Sequence, residues 1–357
     1  MDLPAGTRNY SYAEDTTIFR TRTQKFLLVA FIILLLMSPL WLSKSWLGVV
    51  NLIGITLIAV TGLNILTGYC GQLSIGHAGF VAVGAYTSAI LTGPASGNPG
   101  GLGLPFIVGL LGSGLTAGLI GMLFGIPSLR VKGFYLAIST IAAQFIIIWV
   151  ITHWDNVTGG FMGISAPYAS IAGITFKSEA SQFFLIMGVV ALCIYFARNL
   201  ARTRVGRAFV AIRDNDLAAE VMGINLFRYK LMAFFIGCFM AGIAGSLFAH
   251  WSGSISHEAF SLKDSILYIG MIIIGGLGTT LGPILGVIFI RLLDQVLTHG
   301  LVPFLEGTKI LPGGFASGIS PMIFGLTIIL FLILEPRGLA HRWQLFKAAY
   351  RLWPFSY

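Results

Sequence analysis

Charge is missing from this chain in long blocks. Residues 26–42, 105–126, 133–152, 182–197, 231–251 and 321–334 contain no Asp, Glu, Lys or Arg. A helix that crosses the hydrocarbon core of a bilayer needs about 20 such residues, and a helix satisfies its own backbone where no water can. With 56% hydrophobic and 10% charged residues, against about 25% charge in a soluble domain, the sequence specifies an all-α polytopic membrane protein.

Further apolar runs at 47–67, 68–86, 264–278 and 281–296 bring the expected total to about ten transmembrane or re-entrant helices. The basic residues orient them. Of the 22 Lys and Arg, 17 fall in the segments 1–25, 130–132, 198–230 and 335–357, and five (Lys44, Lys177, Lys263, Arg291, Lys309) fall in outer loops or at outer helix ends. Cytoplasmic loops carry the excess of Lys and Arg, so both termini are expected in the cytoplasm. The net charge of +9 is then explained by orientation, with no nucleic-acid partner required. The chain divides into a cytoplasmic tail (1–25), a transmembrane region (26–334) that contains one large cytoplasmic loop (198–230), and a basic cytoplasmic tail (335–357). The stretch 153–181 is expected outside, as a lid or as a surface connection. Cys70, Cys193 and Cys238 are isolated, so no disulfide framework is expected, and the polar start without a short apolar core makes a cleaved leader unexpected.

Two stretches should interrupt the helices. GYCGQLSIGHAGFVAVGAY (68–86) and the segment around GGLGTTLGP (275–283) are both Gly-rich and apolar, one in each half. Gly costs a helix roughly 1 kcal/mol against Ala. Segments this rich in it pack backbones closely or break and line a cavity, and paired broken helices point to a midplane pathway. No charge fixes the GGLGTTLGP turn inside, so re-entrant loops would leave eight full spans. The expected pathway residues are Asn64, Gln72, Ser74, His77, Gln144, Gly275, Gly276 and Gly278. His77 fits a packed, hydrogen-bonded role as well as a pathway role.

The loop 198–230 holds seven Lys/Arg and three Asp/Glu. It reads as two short helices, one over 204–213 and one over 217–222. Asp214, Asn215 and Asp216 supply capping oxygens between them, and Gly223 takes a left-handed stop. Ala218, Ala219, Val221 and Met222 would form a small apolar patch beside Glu220, suited to a groove on a partner.

No G-x-x-x-x-G-K-[ST] run is present, so ATP is not expected on this chain. GGLGTTLG misses the dinucleotide spacing. No carboxylate lies mid-span, unlike ion-coupled carriers. Neither a catalytic pair nor a metal-ligand spacing is evident, which leaves a secondary carrier or channel, and after it a membrane enzyme, as the weaker readings.

Five ordered motifs, GYCGQLSIGHAGFVAVGAY, VTGGFMG, RTRVGRAFVAIRDNDLAAEVMGIN, IGGLGTTLGPILG and EPRGL, resemble the permease subunits of branched-chain amino acid ABC importers, in particular the permease of the pair with an extended polar N-terminus. The resemblance spans roughly residues 47–339, and the first two dozen residues have no informative match. It implies a bacterial inner-membrane subunit paired with a second, homologous permease. It also implies two cytoplasmic ATPase subunits carrying ATP and Mg, and a periplasmic solute-binding protein. Ala218, Ala219, Glu220 and Gly223 are similar to the motif that docks on the ATPase, with Arg213, Asp214 and Asp216 beside it. Importers of urea and short amides share this permease type, so the solute stays open between these classes.

Overall fold

The computed structural model describes residues 22–94, 100–128, 133–171, 173–301 and 315–352. Arg8, Arg20, Arg130, Lys132 and Lys309, part of the charge pattern above, lie outside the described residues. So do most of the 1–25 tail and the end of the 335–357 tail.

Helix α1 (Arg22–Trp41) precedes α2 (Lys44–Leu63), which continues into a π-helical turn (Asn64–Tyr69) and then breaks. Irregular residues lead to α3 (His77–Thr92), followed by α4 (Phe106–Ser128) and α5 (Phe134–His153). The next stretch carries β1 (Ile164–Ser165), β2 (Ser170–Ile171) and β3 (Ile174–Thr175). Then come α6 (Glu179–Arg202), α7 (Arg204–Asp214), α8 (Asp216–Val221) and α9 (Leu226–Ser252). Strand β4 (Ser254–Ile255) precedes α10 (Leu262–Gly275), α11 (Gly282–Val296), α12 (Phe315–Leu334) and α13 (Gly338–Leu352).

The bundle is built around α9, which lies against α2, α3 and α4. Lipid is as apolar as Leu, so helices in a bilayer associate through close packing of small residues. Helix α9 supplies Gly237, Ala241, Gly242, Gly245 and Ser246 on its buried surface. A Cβ at Gly242 would stand 2.7 Å from the Ala117 Cβ of α4, a separation no side chain tolerates. Five helices are long and apolar enough to cross a bilayer among the described residues: α2 with its π turn, α4, α5, α6 and α9. A sixth results if Pro321–Leu334 and Gly338–Ala348, bent by 45°, form one broken span. The windows in α2 and α9 are 78% and 67% buried, against 39%, 39% and 33% in α4, α5 and α6. The first two are therefore interior and the other three form the outer wall.

The expected ten crossings exceed these full-length helices, and much of the shortfall falls at the Gly-rich stretches. Helices α3, α10 and α11 have 16, 14 and 15 residues, a rise of about 21–24 Å, short of a roughly 30 Å hydrocarbon core. Helices α10 and α11 fold back on each other around the GGLGTTLGP turn, close enough that a Cβ at Gly275 would meet the Gly286 nitrogen at 3.0 Å. The stretch after α5 is pinned rather than loose: β1 pairs antiparallel with β4, Ile164 opposite Ile255, and Ile164 and Ile255 are buried.

Candidate functional site

The charged loop folds as two helices, and its side chains explain why. Thr203 Oγ1 accepts from the Gly206 amide at 3.3 Å and starts α7. Helix α7 buries Ala208, Phe209 and Ile212 on one face, and Phe209 meets the Tyr229 ring of α9 edge-on. Of the three candidate capping residues it is Asn215 that starts α8, its Oδ1 accepting from the Ala218 amide at 3.0 Å. Gly223, at φ 85°, ends it. A six-residue helix cannot hold itself together in water. Lys230 of α9 secures it by an ion pair of 3.9 Å to Asp216, and Ala219 is buried.

That burial corrects the expected patch. Ala219 alone faces inward, and the exposed apolar surface is made by Ala218 with Leu217, Val221 and Met222, the last three 66%, 87% and 83% exposed. Glu220 and Gly223 lie on the exposed side with them.

The two Gly-rich breaks meet beneath this loop. Asn64, first residue of the π turn, is buried, and its Oδ1 accepts from the Gly278 amide at 3.0 Å while its Nδ2 donates to the Thr279 carbonyl at 2.9 Å. Arg213, near the end of α7, donates from Nη1 to the Gly68 carbonyl at 2.9 Å and pairs with Asp214 at 2.9 Å. Gly278 has φ 70°, and a Cβ there would lie 2.6 Å from Arg213 Nη1 and 2.8 Å from the Gly68 oxygen. The turn is stapled from inside by Thr279, whose Oγ1 donates to the Gly276 carbonyl at 3.0 Å and accepts from the Gly282 amide at 2.9 Å. The EPRGL segment closes over it: a Cβ at Gly338 would meet the Gly276 nitrogen at 2.6 Å. Glu335 pairs with Arg342 just beyond.

Of the expected site residues, Asn64, Arg213, Gly275, Gly276 and Gly278 thus gather at one junction. Gln72 joins its edge, lining a cavity of about 650 Å³ with Arg213, Asp214, Asp216 and Lys230. Ser74, His77 and Gln144 are elsewhere. Ser74 is fully buried with no hydrogen-bond partner for its hydroxyl. His77 Nε2 lies 3.1 Å from the Ala59 carbonyl. Gln144 donates from Nε2 to the Phe260 carbonyl at 3.1 Å and accepts from Ser265 Oγ at 2.8 Å. His77 thus joins α3 to α2, and Gln144 joins α5 to α10.

Sequence reasoning missed several participants. Thr279 and Ser265 gave no signal beyond being small and polar. His250, which shares α9 with no charged neighbour nearby in sequence, is a second buried histidine, bonded to Ser88 Oγ at 3.0 Å and the Pro167 carbonyl at 2.6 Å. Arg291, counted above at an outer helix end, turns inward to Thr56 Oγ1 of α2. Among the described residues no group of three or more His, Cys, Asp and Glu side chains gathers as a metal site.

The chain is 31% identical to the high-affinity branched-chain amino acid transport system permease protein LivM of Escherichia coli (strain K12), over 89% of this chain and 75% of that one. It is 26% identical to the probable branched-chain amino acid transport permease protein LivM of Methanocaldococcus jannaschii, over 80% and 90%. It is 27% identical to the autoinducer 2 import system permease protein LsrC of Enterobacter sp. (strain 638), over 78% of each. No solved structure matches it. The family model described as the branched-chain amino acid transport system permease component matches residues 45–332, from the start of α2 almost to the end of α12, and the chain belongs to that family.

Proposed function

We propose that this chain carries branched-chain or related amino acids across the bacterial inner membrane, receiving them from a periplasmic binding protein. A second, homologous permease completes the pathway, and two cytoplasmic ATPases, which bind the ATP and Mg, drive it. Both termini lie in the cytoplasm, and the full complement is about ten membrane helices, the short α3, α10 and α11 contributing broken or re-entrant segments. The segments 1–25, 26–334 and 335–357 serve as tail, permease domain and basic tail.

In this reading the loop 198–230 is the coupling element. The exposed Leu217, Val221 and Met222 seat on an ATPase, with Glu220 and Gly223 at the contact. Exposed Ala218 joins them, buried Ala219 seats the helix on the permease, and Asp214 and Asp216 flank its start. The observation that carries the reading is the bond from Arg213 to Gly68. It joins the exposed helix pair to the point where both Gly-rich breaks meet, so a displacement of α8 reaches Asn64, Gln72, Gly275, Gly276 and Gly278 without crossing lipid. Ser74, His77 and Gln144 brace the pathway from behind. The test uses the reconstituted importer. Glu220→Lys and Gly223→Trp each abolish solute uptake and the ATPase stimulation by loaded binding protein; Gly223→Ala, which carries the same backbone strain at φ 85° without the bulk, loses less. Wild-type values for Glu220→Lys and Gly223→Trp would refute the coupling role.

A further inference from the structure

Arg291 is the side chain that the proposed coupling leaves unexplained. It is the tenth residue of a 15-residue helix, α11, and turns between helices toward the middle of α2. There its Nε and Nη2 donate to Thr56 Oγ1 at 3.2 and 2.9 Å. A guanidinium has five N–H donors, and one neutral hydroxyl engages two of them. An arginine at membrane depth ordinarily pairs with a carboxylate or lines a pathway. Among the described residues Arg291 has no carboxylate partner.

It does face a cavity. A space of about 490 Å³ lies between α2, α9, α10 and α11, and Arg291, Asp264, Lys263 and Glu258 all line it. This is within the range of about 300–1,000 Å³ typical of small-molecule sites. Asp264 gives Oδ2 to the amide and hydroxyl of Ser261 at 3.1 and 2.6 Å, capping α10. Its other oxygen has no partner among the described residues. Arg291 and Asp264 share the cavity without forming an ion pair, so opposite charges stand apart with space between them. The rest of the wall combines apolar side chains, among them Leu52, Ile55, Val81 and Phe248, with the hydroxyls of Thr56, Ser261 and Tyr268. His77 and Gln144 do not line it; each instead bonds the carbonyl of a residue that does, Ala59 and Phe260.

We infer that this cavity is a resting site for the solute as a zwitterion with an apolar side chain: Arg291 takes the carboxylate, Asp264 takes the ammonium group, and the apolar part of the wall takes the rest. This rests on the amino-acid reading above and adds the place and the contacts. A planar fork matches a carboxylate in two bonds, which a lysine cannot reproduce.

The test uses the whole importer in proteoliposomes, with binding protein loaded with L-leucine, reading leucine moved and ATP hydrolysed in the same vesicles. Arg291→Gln and Asp264→Asn each lower leucine moved per ATP by about tenfold or more, with binding-protein stimulation of the ATPase retained. Arg291→Lys gives an intermediate yield. Ser261→Ala, at the cavity wall, loses its hydroxyl bond to Asp264 but keeps the carboxylate, and gives a smaller loss than Asp264→Asn. Unchanged yields in Arg291→Gln and Asp264→Asn overturn the site, as does an equal loss in Ser261→Ala, which would mark a purely structural role. An unmodified importer that hydrolyses ATP on addition of loaded binding protein yet moves no leucine overturns the amino-acid reading itself, and the site with it.

Discussion

Asn64 offers a sharp test of the junction between the two Gly-rich breaks. Asn64→Ala deletes both of its bonds to the α10–α11 turn and leaves the Gly278 amide and the Thr279 carbonyl without that partner. Interhelical hydrogen bonds within bilayers average about 0.6 kcal/mol and reach about 1.7, so the pair should contribute about 1–3 kcal/mol. Arg213→Lys removes the Nη1 bond to the Gly68 carbonyl, worth about 0.5–1.5 kcal/mol. Gly68 and Gly278 are in contact, with Arg213 Nη1 against both, so the two changes should not be independent. Residues in one network show interaction energies of about 0.5–3 kcal/mol. The assay is a cycle of four importers (unchanged, each single variant, and the double) read by thermal unfolding in detergent and by solute moved per ATP in vesicles. The double variant should lose less than the sum of the singles in both readouts. Strict additivity, or full transport by Asn64→Ala, would refute the idea that the breaks and the loop move as one body.

Other outcomes follow from the same contacts. Asn215→Ala removes the cap of α8 and should cost about 0.5–2 kcal/mol locally, seen as faster amide exchange over 216–221 with α9 unaffected. Gly242→Val overpacks α9 against α4 and should lower stability by about 1–3 kcal/mol, measured as a fall in the thermal midpoint of the purified protein. Cys70, Cys193 and Cys238 are free and buried, so a single Val221→Cys should carry all the label from a membrane-impermeant maleimide. Labelling should occur only in inside-out vesicles; labelling from the outer side would reverse the proposed topology.

Much of this was legible in the sequence because the relevant signals are local. The charge-free blocks marked the long helices, and Asp214–Asp216 followed by Gly223 marked a helix pair that forms with nearly those limits. Where the sequence misled, the cause was tertiary. Ala219 and Met222 are indistinguishable as members of an apolar patch until α9 is in place, because only packing decides which faces inward. Gly-rich runs announce a break without saying whether the chain crosses or returns. The return of α11 upon α10 depends on Gly275 and Gly286 meeting across the turn, a pairing no window of sequence contains. Arg291 was assigned to a helix end because charge in an apolar helix is expected there; its partner Thr56 lies 235 positions away.

In the proposed scheme the part free to respond is the α10–α11 hairpin. Helices α2 and α9 are locked backbone to backbone, since a Cβ at Gly62 would lie 2.5 Å from the Gly237 carbonyl, and packed interiors shift between discrete arrangements rather than deforming smoothly. The hairpin is attached differently. Its turn bonds Asn64, with Arg213 packed beside Gly278, and Arg291 reaches α2 through bonds to a single hydroxyl, while Met271, Ile274, Val287 and Ile290 supply its buried apolar contacts. Polar contacts of this kind can be exchanged for others at small net cost, whereas glycine-mediated helix contacts cannot be parted without opening a void. A push on α8 transmitted by Arg213 would therefore tilt the hairpin against a fixed α2–α9 core. The cavity bounded by α2 and by Arg291 and Asp264 of the hairpin is the space whose shape that tilt changes, which places release of the solute under the control of the same residues that hold it.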